Sequence, residues 1–141
     1  MKKFTEKDLL HSLMHLTVLR FLEAKEFFKI CYYEYKGVYP INIFMRHEAD
    51  CKRFILTDNG DTQDFLLAHH YENTPTEKIL DILQKYHLQG RTNDGKSEIA
   101  AVIYYKTIDD VAETRLIAQT IMQKTIDLVN AIIEILEILH S

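Results

Sequence analysis

Residues 109–140 read DDVAETRLIAQTIMQKTIDLVNAIIEILEILH and lie in the longest run of the chain without glycine or proline. Asp109 or Asp110 can cap a helix here, because an Asp side chain accepts from the first N–H groups and places negative charge at the positive end of the helix dipole. Apolar residues then recur at three- and four-residue steps, which predicts one long helix. They are Val111, Ala118, Ile121, Leu128, Ile132, Ile135 and Leu139.

A second apolar seam runs beside the first. It consists of Met122, Ile126, Val129, Ile133 and Leu136. Only a narrow strip stays polar, formed by Thr120, Gln123, Asp127, Asn130, Glu134 and Glu137. A helix that is apolar on two sides must be covered on both, and burying five such side chains is worth on the order of 10 kcal/mol. We therefore predict that the second seam packs on another copy in a homodimer, with the chain's own N-terminal helix as the alternative.

Composition places the chain among single-domain globular proteins, with one domain over residues 1–141. Of its 141 residues, 47% are hydrophobic and 27% charged, and 17 basic against 21 acidic residues give a net charge of −4. This acidic balance does not favour a nucleic-acid binder, and Asp127, Glu134 and Glu137 interrupt the tail too often for a membrane span. We expect that the N-terminus is not a signal peptide and that Cys31 and Cys51 make no disulfide or metal framework. We expect a cytoplasmic protein without a cofactor.

The rest of the chain alternates between helical and strand patterns. Thr5 and Asp8 form a capping box for a first helix whose apolar rows reach Phe21. Strands are predicted at residues 29–35, 39–46, 52–57 and 99–105, and the first three are joined by short turns that make neighbours antiparallel. Shorter helices begin near Asp61 and Thr76, the second ending before Gly90. The fold class is α+β: a small antiparallel sheet of about four strands, covered on one face by helices, with the long apolar C-terminal helix as its core.

Three carboxylates surround the predicted start of the first of these shorter helices. Asp58, Asp61 and Asp64 recur at three-residue spacing, and oxygen ligands of this kind can hold a divalent metal or act as a general base. Asp is also a preferred residue in turns and helix caps. We favour capping and keep the metal site as the alternative.

Basic residues flank the hairpin tip between the second and third predicted strands. Arg46, Lys52 and Arg53, with Tyr33 among the nearby aromatic residues, could hold a nucleotide or a single strand. Glu48 and Asp50 lie between them, so the basic patch is interrupted. We favour a solvated hairpin.

The motif Leu56-Thr57-Asp58-Asn59-Gly60 before a short helix, the later Leu88-Gln89-Gly90 after a second helix, and the long final helix come in a recognisable order. In this order, from roughly residue 33 to the C-terminus, the chain resembles the bacterial and phage family catalogued as domain of unknown function 1828. The resemblance implies an association with mobile elements and with defence or counter-defence genes. Family members carry acidic residues around the second strand, whereas residues 37–43 here contain none, so chemistry by those acids is not expected in this chain.

These observations favour a small non-enzymatic interaction protein. Because the sequence contains no catalytic motif and has a surplus of apolar helix surface, we expect a phage or mobile-element protein that inhibits a host defence system by binding a host protein. Two alternatives stay open. One is a nucleotide or nucleic-acid binding protein acting through the basic hairpin, and the other is a metal-dependent hydrolase or nuclease acting through the Asp58 cluster.

Overall fold

A computed structural model of the chain describes residues 3–12, 27–68, 76–93 and 95–139. Its elements in order are α1 (Glu6–Ser12), β1 (Phe27–Tyr35), β2 (Tyr39–Glu48), a short 3-10 helix (Ala49–Cys51), β3 (Arg53–Thr57), α2 (Asp61–Ala68), α3 (Thr76–Lys85), β4 (Gln89–Asn93), β5 (Lys96–Tyr104) and α4 (Val111–Leu139). The predicted α+β class is confirmed, with five strands rather than four. The apolar rows predicted from Leu13 to Phe21 lie outside the described residues.

The sheet is antiparallel throughout, in the order β1-β2-β3-β5-β4. The predicted turn between β1 and β2 is confirmed: Lys36 and Gly37 have φ values of 55° and 67°, and the Val38 N–H donates to the Tyr35 carbonyl. A chain reversal this tight needs left-handed backbone, which Gly adopts without strain. The register pairs Arg46 with Ile55, so these two side chains share one face of the sheet.

Helix α3 ends before Gly90, as predicted, and β4 follows almost at once. Helix α3 ends through His87, whose φ is 55°, and the Leu88 N–H donates to the Leu83 carbonyl at 2.8 Å. His87 is thus the left-handed residue that ends the helix, a role that the sequence suggested for Gly90. Gly90 instead lies within β4, opposite Ile99 of β5.

Both predicted caps that the structure describes are present. The Thr5 N–H donates to the Asp8 carboxylate at 2.9 Å and the Asp8 N–H donates to Thr5 Oγ1 at 3.4 Å, which is the reciprocal capping box of α1. At the start of α4 the Ala112 N–H donates to Asp110 Oδ1 at 2.8 Å. Asp110, not Asp109, is therefore the cap of the long helix.

Helix α4 packs across β1, β2, β3 and β5. The sheet face toward it, which we call the core face, contributes Ile41, Ile43, Met45, Phe54, Leu56, Ala101 and Ile103. All are buried in one cluster with Leu128, Ile132 and Ile135 of the helix. The second face of the sheet also holds buried groups at its centre, since Ile55, Thr57 and Ala100 are each 0% exposed. The prediction of a sheet covered on one face is therefore too simple.

The second seam of α4 is not a free surface. Val129, Ile133 and Leu136 are buried within the single chain, and Met122 and Ile126 are partly buried against the same cluster. A dimer interface through this seam stays a prediction, and the fold itself already covers three of its five residues. Helices α1 and α3 both contact α4, so the alternative of an intramolecular cover, which named the N-terminal helix, accounts for this burial.

The polar strip of α4 is where other elements dock. Asn130 accepts from the Phe4 N–H at 2.8 Å and donates to the Phe4 carbonyl at 3.0 Å, which fixes the N-terminal segment to the helix. Glu134 accepts from Lys85 Nζ at 2.9 Å and from the hydroxyl of Tyr86. These residues would be solvent-exposed if the strip faced water. Instead Asn130 is 4% exposed.

Among the described helices none has both the length and the apolarity to cross a bilayer, including α4 with its 29 residues.

Candidate functional site

The chain turns from β3 into α2 at Asp58-Asn59-Gly60. Asn59 and Gly60 have φ values of 56° and 82°, and a Cβ added to Gly60 would lie 3.1 Å from the Ser97 carbonyl oxygen. At position 60, both the left-handed backbone conformation and this close approach to β5 favour glycine. The predicted acidic cluster starts at this turn.

Asp58 is a buried acceptor of three backbone N–H groups. Its Oδ1 accepts from Gly60 at 3.0 Å and from Ile99 at 2.9 Å, and its Oδ2 accepts from Thr62 at 3.1 Å. The carboxylate thus satisfies the first turn of α2 and joins it to β5. Capping is therefore confirmed for Asp58.

The Asp58→Asn substitution is expected to lower the free energy of unfolding by about 1–3 kcal/mol. An amide keeps one acceptor oxygen but places an NH₂ group against a backbone donor, so a buried N–H loses its partner. Urea unfolding measures the change, with Asp81→Asn as the control because Asp81 is exposed on α3. Equal effects of the two substitutions would contradict the capping role.

The three predicted carboxylates do not combine into a metal site. No group of three or more His, Cys, Asp or Glu residues suited to hold a metal occurs in the described part of the chain. Asp58 is engaged with backbone, and Asp64 pairs with Lys96 at 3.2 Å. Asp61 lies at the wall of a cleft, where Asn42 Nδ2 donates to its carboxylate over a long 3.5 Å.

Electrostatics disfavour the ionised form of Asp61. Burial raises the pKa of its carboxyl above the ordinary value of 3.8, and the negative charges of Asp58 and Asp64 act in the same direction. The hydrogen bond from Asn42 and the charge of Lys96 oppose this shift without cancelling it. Asp61 is thus an acid whose negative charge lacks a full counter-charge in the part of the chain that the structure describes.

Because its pKa is raised on folding, Asp61 contributes a penalty to folding that grows as pH rises from the ordinary Asp value to the folded value. Asp61→Asn is therefore expected to raise the free energy of unfolding at neutral pH, and the gain should vanish below pH 3.8, the ordinary value. Thermal unfolding across this pH range tests it. A lower melting temperature for Asp61→Asn at neutral pH, relative to Asp64→Asn, would contradict the prediction.

The cleft beside Asp61 has a volume of about 320 Å³ and lies between the start of β2, helix α2 and the C-terminal half of α4. Its polar lining is Asn42, Asp61, Thr62 and Asp64. Its apolar lining is Tyr39, Pro40, Ile41, Phe65, Ile132 and Leu136. The rings of Tyr39 and Phe65 meet edge to face, with centroids 5.5 Å apart. Ligand pockets range from about 300 to 1,000 Å³, so this cleft suits a small ligand or one inserted side chain.

One polar atom at this cleft has no partner. Asn42 Oδ1 is buried and accepts no hydrogen bond from the described residues. Exchanging the two ends of the amide does not solve this, because the oxygen would then face the Asp61 carboxylate and the buried NH₂ would lack an acceptor. In either orientation the pair formed by Asn42 and Asp61 is one donor short.

The predicted basic site does not assemble. Arg46 lies on the second face of the sheet and pairs with Glu98, and Arg53 pairs with Glu48 at 2.5 Å. Tyr33 lies opposite Ile41, near the other end of β2, and packs edge to face on Phe4. Lys52 is exposed in the turn with a φ of 50°. Arg46 and Arg53 share the second face of the sheet, but each guanidinium is paired with a carboxylate, and Tyr33 lies far from both.

Sequence reasoning identified Asp61 and missed the other walls of the cleft. Tyr39 and Asn42 come from β2, Phe65 from α2 and Leu136 from α4, and no local motif relates segments this far apart. The available signal was the strand alternation, which placed Asn42 on the face opposite Ile41 and Ile43.

The chain matches no protein-family model, no curated protein and no solved structure at a significant level. The resemblance to the family catalogued as domain of unknown function 1828 stays a prediction.

Proposed function

We propose that this chain is a non-enzymatic interaction protein and that the cleft between β2, α2 and α4 is its binding site. The observation that carries the proposal is the combination, in one cleft of about 320 Å³, of an apolar floor with the Asp61 carboxylate, whose hydrogen bond from Asn42 Nδ2 is a long 3.5 Å. Such a cleft gains free energy when an apolar group with a hydrogen-bond donor enters it.

The described groups that could perform nucleophilic or acid–base chemistry support binding over catalysis. Asp58 is saturated by backbone donors, and burial raises the pKa of the Cys31 thiol to about 12. His47 shares a 2.6 Å hydrogen bond with the Tyr105 hydroxyl and stacks on Phe54, away from the cleft. A thiol that stays protonated is a poor nucleophile.

The biological setting follows from the family resemblance. We propose a phage or mobile-element protein of the cytoplasm that inhibits a host defence system, with a host protein as its partner. A homodimer would have to use a surface other than the buried part of the second seam.

Site-specific photo-crosslinking in source cells tests the proposal. A photoreactive residue at Val38, in the turn next to Tyr39, is expected to give an adduct with one partner protein. Tyr104 is the matched control, because it lies at the opposite end of the sheet and is 67% exposed against 69% for Val38.

The adduct at Val38 should disappear when Tyr39→Ala removes part of the cleft wall. Equal labelling at Val38 and Tyr104, or an adduct insensitive to Tyr39→Ala, would exclude the cleft as the binding site.

A further inference from the structure

Around Asp61, the described residues place more negative than positive charge. Asp58, Asp61 and Asp64 lie along the start of α2, and Lys96 is the cation that acts on Asp61. Lys96 pairs with Asp64, but the two side chains are 56% and 57% exposed, so water and salt screen this pair. The charge on Asp61 stays largely uncompensated.

The hydrogen bonds at the cleft also favour a ligand that carries donors. The carboxylate of Asp61 is acceptor-only when ionised, and its hydrogen bond from Asn42 Nδ2 is a long 3.5 Å. A ligand that completes this site must bring N–H or O–H groups. A positively charged donor satisfies both the missing hydrogen bond and the missing charge.

The rest of the cleft is suited to a hydrocarbon stem. Ile132 and Leu136 form an apolar floor from α4, while Tyr39 and Phe65 present aromatic rings next to the carboxylates. Long basic side chains bury their methylene groups along such surfaces, and aromatic faces attract cations. A bare metal ion would leave this surface unused.

We infer that the cleft binds an organic cation, with an ammonium or guanidinium group at Asp61 and an apolar stem along Ile132 and Leu136. The inference deepens the proposed function and rests on it. Two sources provide this chemistry: a Lys or Arg side chain of a partner protein, and a free small amine.

The test is a titration of the full chain, followed through the methyl NMR signals of Ile132 and Leu136. Four probes separate the contributions: hexylamine, hexanol with the same stem but no charge, ammonium with no stem, and Nα-acetyl-lysine methylamide as a peptide-borne amine. Hexylamine or the lysine probe is expected to shift both residues' signals, while hexanol and ammonium bind at least about tenfold more weakly.

Asp61→Asn should weaken binding of the cationic probes by about tenfold and leave hexanol unchanged, whereas Asp81→Asn on exposed α3 should change neither. Tighter binding of the lysine probe than of hexylamine assigns the site to a partner's side chain, and the reverse assigns it to a free amine.

Hexanol binding as tightly as hexylamine, or cationic binding that survives Asp61→Asn, would overturn the inference. If no amine shifts the Ile132 and Leu136 signals while the Val38 adduct still forms, the inference falls and the proposed function stands. If the adduct is also lost, both fall.

Discussion

Replacing Arg46 by alanine is expected to lower the free energy of unfolding by about 3–5 kcal/mol, because it leaves the Glu98 carboxylate buried without its counter-charge. The two guanidinium nitrogens of Arg46 donate to the two carboxylate oxygens at 3.1 and 2.7 Å. The side chains are only 15% and 2% exposed. Thr57 Oγ1 also donates to Glu98, at 2.8 Å, so the carboxylate is held from two strands.

The effect of Arg46→Ala should depend on pH in a defined direction. Burial raises the pKa of Glu98, but hydrogen bonds from Arg46 and Thr57 and the charges of Arg46 and Arg91 outweigh it, leaving the pKa below the ordinary 4.5. A depressed carboxyl pKa contributes stability that is present above the unfolded value and is lost as pH falls through the folded value. The difference between wild type and Arg46→Ala should therefore narrow at acid pH.

Urea unfolding at about pH 7 and about pH 3, on either side of the carboxyl range, measures both parts of this prediction. Lys96→Ala is the matched control, since it breaks the pair with Asp64, in which both side chains are more than half exposed. That substitution is expected to change stability by less than about 1 kcal/mol. If Arg46→Ala lowers the free energy of unfolding no more than Lys96→Ala does, the buried Glu98 carboxylate does not depend on Arg46 for its stability.

This ion pair illustrates what the sequence could and could not predict. The alternation of β2 places Arg46 on the face opposite Ile43 and Met45. Its partner lies 52 residues away on β5, a strand predicted to begin only after Glu98. Local patterns give the direction of a side chain, but only the strand order shows which residue it meets.

Strand β4 was missed for a related reason. Residues 89–93 read QGRTN, with no apolar alternation and a glycine that weakens strand propensity. Pairing with β5 makes this segment a strand, and a tertiary contact of that kind leaves no periodic signal.

The Asp58 turn, in contrast, was predictable from the sequence, because the hydrogen bonds that Gly60 and Thr62 donate to Asp58 are local.

The long helix shows the limit of reading polarity as exposure. Its length and its apolar seams follow from periodicity, since 3.6 residues per turn sort the side chains by face. Its cap follows from the aspartates at its start. Periodicity does not show whether a polar strip faces water or another element. Asn130 and Glu134 bind Phe4 and Lys85, so the polar strip is a docking side.

Ile133→Ala is expected to lower the free energy of unfolding by about 2–5 kcal/mol, the range for truncating a large aliphatic residue in a packed core. Ile133 is 1% exposed within the single chain and belongs to the main cluster. The loss combines the transfer free energy of the removed methylene and methyl groups with the cavity they leave. Leu116→Ala is the control on the same helix, because Leu116 is 58% exposed and should change stability by less than about 0.5 kcal/mol.

This substitution also separates a core residue from a dimer-interface residue. If Ile133 stabilised a dimer, its effect on the melting temperature would change with protein concentration, because subunit association is a mass-action term. Burial inside one chain predicts the same loss over about a hundredfold range of concentration. A loss that appears only at high concentration, together with a smaller molecular mass for Ile133→Ala in light scattering, would return the second seam to an intermolecular role. A constant loss at unchanged mass assigns Ile133 to the core that positions α4, and with it the floor of the cleft.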